Sequence, residues 1–284
     1  MSVLSVAKQD FTSARRSRAL WAAATFFSLL AVLIVYGSQG YQLSGTEQVQ
    51  HVFRSLGMVL AILLPIVALV ASYMAIAGER ESGGIKFLLS FPNTRRDVFL
   101  GKLASRLAIV TAGLALLFFA ATAMAVARYG ALPIGTVLGV FVLAVVYDSV
   151  FVGVAVALSS AVGARSRAIG AAVGSYFVLV ILYLVPNVRI PTLVRWVHHT
   201  MLGMDPNPDL YSAVTYTSPY TAFRKSLNLV FPSSMDAHVF RQGTHGVVEH
   251  PFYLSNEFAL VIFALWLVVP LTIGYLRFER SDLE

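Results

Sequence analysis

Residues 55–78 read SLGMVLAILLPIVALVASYMAIAG, and none of these 24 residues is charged. Because a transmembrane helix needs about 20 mostly apolar residues, this stretch by itself predicts a helix that crosses a membrane. The composition of the whole chain agrees, since 57% of the 284 residues are hydrophobic and 12% are charged. That charged fraction is about half the value for an ordinary soluble domain, so the sequence indicates an integral membrane protein.

Five more segments have, or nearly have, the length and apolar composition of a membrane span. The connection between the last two is long, and we expect it to form a small outer cap of short helices and not a separate domain. We therefore predict one transmembrane domain over residues 1–284. It is an all-α fold with six transmembrane helices, at residues 19–37, 55–78, 107–127, 133–158, 168–186 and 258–276.

The basic residues are concentrated at one end of the predicted spans. The N-terminal tail, the connections after spans two and four, and the C-terminus together carry 14 Lys and Arg residues. The opposite short connections carry only Arg54 and Arg128. Since short loops rich in Lys and Arg stay in the cytoplasm, we predict cytoplasmic termini and a multi-pass protein of the plasma membrane. The net charge of +7 then reports topology, and we expect no nucleic-acid partner.

Two regions outside the spans have helical patterns of their own. Leu4, Ala7 and Phe11 share one face at helical spacing, which predicts an amphipathic N-terminal helix on the inner membrane surface, in contact with lipid. In the outer connection 187–257, residues 191–202 and 218–232 are predicted to be short helices, the second beginning at Ser218 with Pro219 in its first turn.

The sequence lacks the residues that several kinds of chemistry require. The chain has no cysteine, which excludes disulfides and a cysteine nucleophile. It has no Walker-type phosphate loop, so any ATP-driven work requires another chain. All six histidines fall in predicted outer loops and none in a span. An intramembrane serine protease needs a histidine base beside its nucleophile within the bilayer, and the predicted spans contain no such residue.

Two features within the spans have both a functional and a structural interpretation. Asp148 is an acid well inside the fourth span; such residues line substrate paths or are held by a neighbouring helix. Gly170 and Gly174 form a GxxxG pair in the fifth span, which favours close helix packing either within the subunit or between two subunits.

The connection after the second span is the most charged part of the chain. Residues 78–102 read GERESGGIKFLLSFPNTRRDVFLGK. Gly83 permits a sharp turn, Thr94 and Asp97 have the spacing of a capping box, and the helix that they begin is expected to continue into the third span. The apolar residues Ile85, Phe87, Leu88, Leu89 and Phe91 form a patch that must be buried against lipid, the same subunit or a partner protein.

This connection closely resembles the one between spans two and three of ABC-2 type permeases, particularly the NosY-like group. The shared elements are Glu79, Glu81, Gly83, the Leu88–Leu89 pair, Pro92, the Arg95–Arg96 pair and the Gly101–Lys102 pair. The sequences LSSAVGARSRAIGAA (158–172) and GYLRFERSDL (274–283) also resemble this family, so the resemblance covers the full chain. Gly84 departs from the pattern, where the family usually has Thr.

The resemblance implies the membrane subunit of an ATP-driven transporter, commonly an exporter, and not an enzyme. Two permease subunits would pair with two separate ATPase subunits, which bind ATP and magnesium, so this chain would hold no cofactor directly. The ATPase would bind the connection 79–106. The residues implied in this coupling are Glu79, Arg80, Glu81, Gly83, Leu88, Leu89, Pro92, Arg95, Arg96 and Lys102.

The cargo and the alternatives stay open at this point. NosY-like relatives are associated with copper or with the maturation of copper enzymes, and imidazole and thioether groups suit copper. Export of a lipid, drug, peptide or antibiotic stays open as well. His198, His199, Met201 and Met204 cluster in the outer connection, although outer loops more often carry such residues for no metal reason. The alternative functions are an intramembrane enzyme, such as a protease or a lipid-modifying enzyme, and an ATP-independent transporter or channel.

Overall fold

The computed structural model of the protein describes residues 3–38, 45–85, 94–185, 189–235 and 251–280. These residues form helices and no strands. The α-helices are α1 (Val3–Arg15), α2 (Arg18–Gly37), α3 (Gly45–Ser72), α4 (Ala77–Glu81), α5 (Arg95–Tyr129), α6 (Ile134–Ala161), α7 (Arg165–Tyr176), α8 (Leu182–Leu184), α9 (Ile190–Arg195), α10 (Pro208–Tyr216), α11 (Pro219–Ser226) and α12 (Phe258–Arg280). A π-helical turn, Phe177–Ile181, joins α7 to α8, and a second one, Trp196–Met201, follows α9.

In the part of the chain that the structure describes, six helical segments are long and apolar enough to cross a membrane, as the sequence predicts. They are α2, α3 with its continuation to α4, α5, α6, α7 with α8, and α12. Two of them begin earlier than their apolar runs: α3 begins at Gly45 and α5 at Arg95. A helix can extend beyond its apolar run at either end, because its backbone hydrogen bonds continue until a capping residue stops them. His51 therefore lies on α3 and not in an outer loop, which corrects the expectation that all six histidines lie in loops.

Helix α6 is the centre of the bundle. It packs against α3, α5, α11 and α12, and it is buried over most of its length. It approaches α12 closely at Gly274, where an added Cβ would lie 2.7 Å from the Cβ of Ala157. Oγ of Ser160 donates to the carbonyl of Gly274 at 2.9 Å. Small residues thus let the two helix backbones approach closely.

Pro65 leaves a backbone acceptor unsatisfied in α3, and α6 satisfies it. A proline inside a helix lacks the N–H that would bond the carbonyl four residues earlier, which here is Ala61. The hydroxyl of Tyr147 donates to this carbonyl at 2.7 Å. Tyr147 is completely buried, so this hydrogen bond fixes α3 against α6 in the interior of the bundle.

The outer connection contains a re-entrant helix, α11, and not only a cap. Its predicted start is correct, since Ser218 is the N-cap and Pro219 follows it. Phe223, however, stacks on Tyr147 with ring centroids 4.4 Å apart. Tyr147 lies thirteen residues into α6, about 20 Å along its axis, so α11 extends into the bundle. Its apolar side chains are buried against α3, α6 and α12, which explains why it does not stay at the surface.

Candidate coupling site at the basic end of the bundle

The coupling segment, residues 79–106, lies at the end of the bundle that carries most of the basic residues. The structure describes it at residues 79–85 and 94–106. Leu88, Leu89 and Pro92, three of the predicted coupling residues, lie outside the described residues. Ile85 is 2% exposed and belongs to the core of this subunit, so it is not part of a free apolar surface.

A capping box begins the second half of the coupling segment, as its sequence predicts. The hydroxyl of Thr94 accepts the backbone N–H of Asp97 at 3.1 Å, and the Asp97 carboxylate accepts the N–H of Thr94 at 3.0 Å. These bonds satisfy two backbone donors that no helix turn can satisfy. From there α5 continues without interruption to Tyr129, so a displacement of the segment would displace the third span with it.

Four charged side chains form a cluster between the coupling segment and α1. Nζ of Lys102 lies 2.7 Å from both Oδ1 of Asp10 and Oε1 of Glu79. Nη2 of Arg106 lies 3.1 Å from Oδ1 of Asp10, and its Nη1 donates to the carbonyl of Ala71 at 3.1 Å. The side chains of Lys102 and Asp10 are 5% and 8% exposed. We call Asp10, Glu79, Lys102 and Arg106 the charged cluster.

The close approach of α1 to α5 requires Gly101. A Cβ at this position would lie 2.7 Å from Cβ of Val6 and 3.0 Å from the carbonyl oxygen of Val3. Val6 is 3% exposed. Gly101 thus allows α1 to lie directly on α5, and this places Asp10 within reach of Lys102, the next residue along α5.

Glu81 connects the coupling segment to the fifth span. Its Oε2 accepts the backbone N–H of Arg165, the first residue of α7, at 2.5 Å. A carboxylate at a helix N-terminus bonds a free N–H and interacts favourably with the helix dipole.

Gly83, with φ of 74°, turns the chain after α4. A Cβ on Gly84 would meet only the far ends of the Glu79 and Ser82 side chains, so this departure from the family pattern has no structural explanation.

Two arginines of the segment contact the central and last spans. Nη1 of Arg80 donates to the carbonyl of Ser160 at 3.3 Å, and its guanidinium lies 5.6 Å from the ring centroid of Phe278. Nη1 of Arg95 donates at 2.8 Å to the carbonyls of both Phe278 and Glu279 in the last turn of α12. A cation at a helix C-terminus satisfies free carbonyls and the dipole together. Arg96, the other member of the pair, is exposed.

The coupling segment is therefore connected to five helices of its own subunit. The contacts are with α1 through Asp10, with α3 through Ala71, with α6 through Ser160, with α7 through Arg165 and with α12 through Phe278. The residue pattern of the segment does not reveal these partners, because each lies far away in sequence.

Two residues of this site were missed by sequence reasoning. Asp10 is the one acid among the first 18 residues. Its spacing from Val3 and Val6 places the three residues on one helix face, and this pattern could have predicted that Asp10 faces the bundle. Oγ of Ser159 accepts the backbone N–H groups of Ile76 and Ala77 at 3.0 and 2.9 Å, so α6 supplies the cap that the sequence before α4 lacks. Nothing in the local sequence marks Ser159 for this role.

Asp148 is enclosed within the subunit. It is 1% exposed, and its Oδ1 is buried with no hydrogen-bond partner among the described residues. It lies two helical turns beyond Phe141, whose ring contacts Phe118 of α5 at 5.3 Å between centroids, so it is on the side of α6 that faces α5. A buried polar atom without a partner is costly, which is consistent with either of the two interpretations of this residue.

The outer His and Met residues lie on and just after the second π-helical turn. Nδ1 of His198 lies 3.0 Å from the hydroxyl of Tyr211, and Nδ1 of His199 lies 2.9 Å from the carbonyl of Met204. Each imidazole thus keeps its Nε2 for another partner. Met201 and Met204 are 63% and 51% exposed. Within the described ranges no three His, Cys, Asp or Glu residues are grouped as metal ligands.

Within the described residues, six helices long and apolar enough to cross a membrane, with a charged connection joined to five helices of the bundle, define a polytopic membrane protein. The chain belongs to the ABC-2 family of transporter proteins: the sequence model described as "ABC-2 family transporter protein" matches residues 4–283. It is accordingly a multi-pass protein of the plasma membrane, and its role is that of a transport subunit and not of the catalytic ATPase.

Two curated relatives support this assignment. The chain is 32% identical over 191 residues to the probable ABC transporter permease protein NosY of Pseudomonas aeruginosa, covering 64% of this chain and 68% of the relative. It is 29% identical over 187 residues to the protein of the same name from Stutzerimonas stutzeri, covering 64% of this chain and 67% of the relative. This chain is therefore NosY-like.

Proposed function

We propose that this chain is the permease subunit of an ABC exporter and that a separate ATPase subunit binds its coupling segment. The observation that carries the proposal is the set of contacts from the segment to α1, α3, α6, α7 and α12. A segment that only joined two spans would need no such contacts. Family membership favours transport over the alternatives of an intramembrane enzyme or an ATP-independent channel.

The proposed mechanism follows from these contacts. ATP and magnesium bind on the partner ATPase, whose closure displaces the coupling segment. The capping box and the unbroken α5 transmit that displacement to the third span. Glu81 and Arg95 transmit it to an end of α7 and of α12. Because packed helices move as rigid bodies, the displacement changes the arrangement of the whole transmembrane domain, which we propose extends over residues 1–284.

The docking surface for the ATPase is proposed to be apolar. Phe87, Leu88, Leu89 and Phe91 are the apolar residues beyond Ile85, and they lie outside the described residues. Described charges of the segment, including Glu79 and Lys102, are bonded within the subunit. We therefore propose that these charges hold the segment in position, that Pro92 ends its apolar half, and that the exposed Arg96 contacts the ATPase.

A second permease copy is proposed to pack on α7. Gly170 and Gly174 have open space where a Cβ would project, so the GxxxG pair is not used for packing within the described part of the subunit. Ile169 and Val173 beside them are 44% and 64% exposed. Small residues flanked by exposed apolar ones are typical of a helix–helix interface in membranes.

Two measurements test the permease proposal. The chain should be purified from its native membranes in mild detergent, and an ATPase with a Walker loop should co-purify. Reporter fusions after Arg18, Arg167 and Arg280 should report a cytoplasmic location, and a fusion at Asn207 an external one. An Asn207 fusion on the cytoplasmic side, or purification without any ATPase, would contradict the proposal.

We propose a copper-related role, with support from the NosY-like resemblance and from the outer cluster. The Nε2 atoms of His198 and His199 are not used in the described hydrogen bonds, and the two thioethers are exposed. Changing His198, His199, Met201 and Met204 together to Ala should abolish copper binding by the purified complex. Unchanged binding, or no binding by the parent, would remove this site and leave the permease proposal intact.

A further inference from the structure

An apolar cavity of about 310 Å³ lies between α1, α2, α3 and α5. Its lining side chains are all apolar, and they include Phe11, Trp21, Leu64 and Leu114. An apolar cavity of about 150 Å³ stays dry and can bind benzene. A cavity about twice that size in a membrane protein is expected to hold a hydrocarbon chain and not water.

The depth of the cavity corresponds to one leaflet. It extends along α3 from Leu60 to Ala71, which is about 17 Å of helix, or about half the 30 Å hydrocarbon core of a bilayer. Its end at Ala71 is one residue before the end of α3. Trp21, which is 55% exposed, lies at the same end, and tryptophan is enriched where lipid headgroups begin.

Two exposed arginines lie at this end of the cavity. Arg16 lies in the turn between α1 and α2, Arg18 begins α2, and both are exposed. Phe11 before the turn and Leu20 after it both line the cavity. Among the described residues neither arginine forms an ion pair. The acid in this tail, Asp10, is already bonded to Lys102 and Arg106. The mouth of the cavity thus has a positive charge that nothing in the described structure balances.

Gly113 keeps the cavity open. It lines the cavity in the middle of α5, and a Cβ there would meet no atom within 4 Å. Glycine inside a helix is less favourable than alanine by about 0.5–1 kcal/mol, and no close helix contact requires it here. Any larger side chain at this position would project into the cavity.

We infer that this cavity binds one acyl chain of an anionic glycerophospholipid, whose phosphate lies against Arg16 and Arg18. The site is separate from the coupling segment and from the proposed second-copy surface, so it does not depend on either. The lipid chain would pack on Phe11, next to Asp10 of the charged cluster, and would hold α1 in place on α5.

The test uses the purified, delipidated full-length protein. Phosphatidylglycerol, and phosphatidylcholine with the same acyl chains, are added separately, and bound lipid is counted by native mass spectrometry while the thermal unfolding midpoint is recorded. We expect one retained phosphatidylglycerol per chain, with a raised midpoint, and a weaker effect of phosphatidylcholine. Gly113→Leu should fold and lose both the retained lipid and the shift.

Two matched controls complete the experiment. Gly135→Leu also enters open space but does not line the cavity, and it should behave as the parent. Arg16→Gln with Arg18→Gln should weaken phosphatidylglycerol binding about 30-fold, whereas Arg277→Gln with Arg280→Gln, exposed at the basic end, should not. If Gly113→Leu does not fold, Ala24→Phe fills the cavity from α2. Equal retention in parent and filled variants, or equal affinity for both lipids, would overturn the inference.

Discussion

Nζ of Lys102 lies 2.7 Å from Oδ1 of Asp10, although 92 residues separate them in the chain. Both side chains are buried, and Glu79 and Arg106 complete the cluster. The contact joins the N-terminal helix to the helix that begins in the coupling segment. Removing one partner of a buried ion pair is costly, so we expect this pair to help hold α1 on the bundle.

Replacing Lys102 tests the charged cluster. Lys102→Met keeps the aliphatic chain but leaves Asp10 with Arg106 alone, and we expect a destabilisation of about 1–3 kcal/mol. The measurement is the thermal unfolding midpoint in detergent. Arg96→Met is the matched control, because Arg96 is an exposed basic residue of the same helix. Equal midpoints for the two variants would show that the cluster does not stabilise the fold.

Two kinds of substitution in the coupling segment should have different effects, one on ATPase binding and the other on the transmission of its movement to the spans. Leu88→Asp with Leu89→Asp should release the ATPase, because burying each leucine contributes about 1.5–3 kcal/mol, while the permease still reaches the membrane. Glu81→Gln should retain the ATPase but weaken transport-stimulated ATP hydrolysis, since it removes the carboxylate at the start of α7. Pull-down and ATPase assays measure the two effects. Full ATPase binding by the double leucine variant would show that the segment does not bind the ATPase and only connects two spans at the membrane surface.

Asp148 is proposed to lie on the translocation path, and its burial gives this proposal a distinct signature. An unpaired buried polar atom costs about 1–3 kcal/mol, and leucine branches at the same carbon as aspartate but has no polar atom to leave unpaired. Asp148→Leu should therefore fold at normal yield with an unchanged or higher thermal midpoint, and both it and Asp148→Asn should lose transport while retaining the ATPase. A lower yield of the Leu variant with normal transport by the Asn variant would assign a structural role instead.

The absence of cysteine makes the second-copy surface directly testable. Val173→Cys introduces a single thiol on the exposed face of α7, and mild oxidation should produce a disulfide-linked dimer if two copies pack there. Phe119→Cys on α5 is the matched control, because Phe119 is also strongly exposed, at 73%. The readout is a non-reducing gel of native membranes. Comparable dimer from both positions would indicate random collision and not an interface.

Much of the architecture follows from the sequence. Long uncharged runs must form helices in a membrane, because their backbone groups find no water to bond, and six such runs predicted six spans. The capping box at Thr94 and the helix start at Ser218 were also predictable, because a cap is a contact between residues three or fewer apart. The resemblance of residues 78–102 to ABC-2 permeases led to the correct family for the same reason, since its motif is contiguous.

The tertiary structure alone decided which charges of that motif point inward. Four of its charged residues bond to other parts of the same subunit, in α1, α5, α7 or α12: Glu79, Glu81, Arg95 and Lys102. A local pattern cannot distinguish such a charge from one that faces a partner protein. The insertion of α11 beside Tyr147 was hidden for a similar reason, because Phe223 stacks on a Tyr147 ring whose hydroxyl bonds the carbonyl of Ala61 in α3. Spans and caps follow from nearby residues, whereas ion pairs and re-entrant packing depend on residues that only the folded chain brings together.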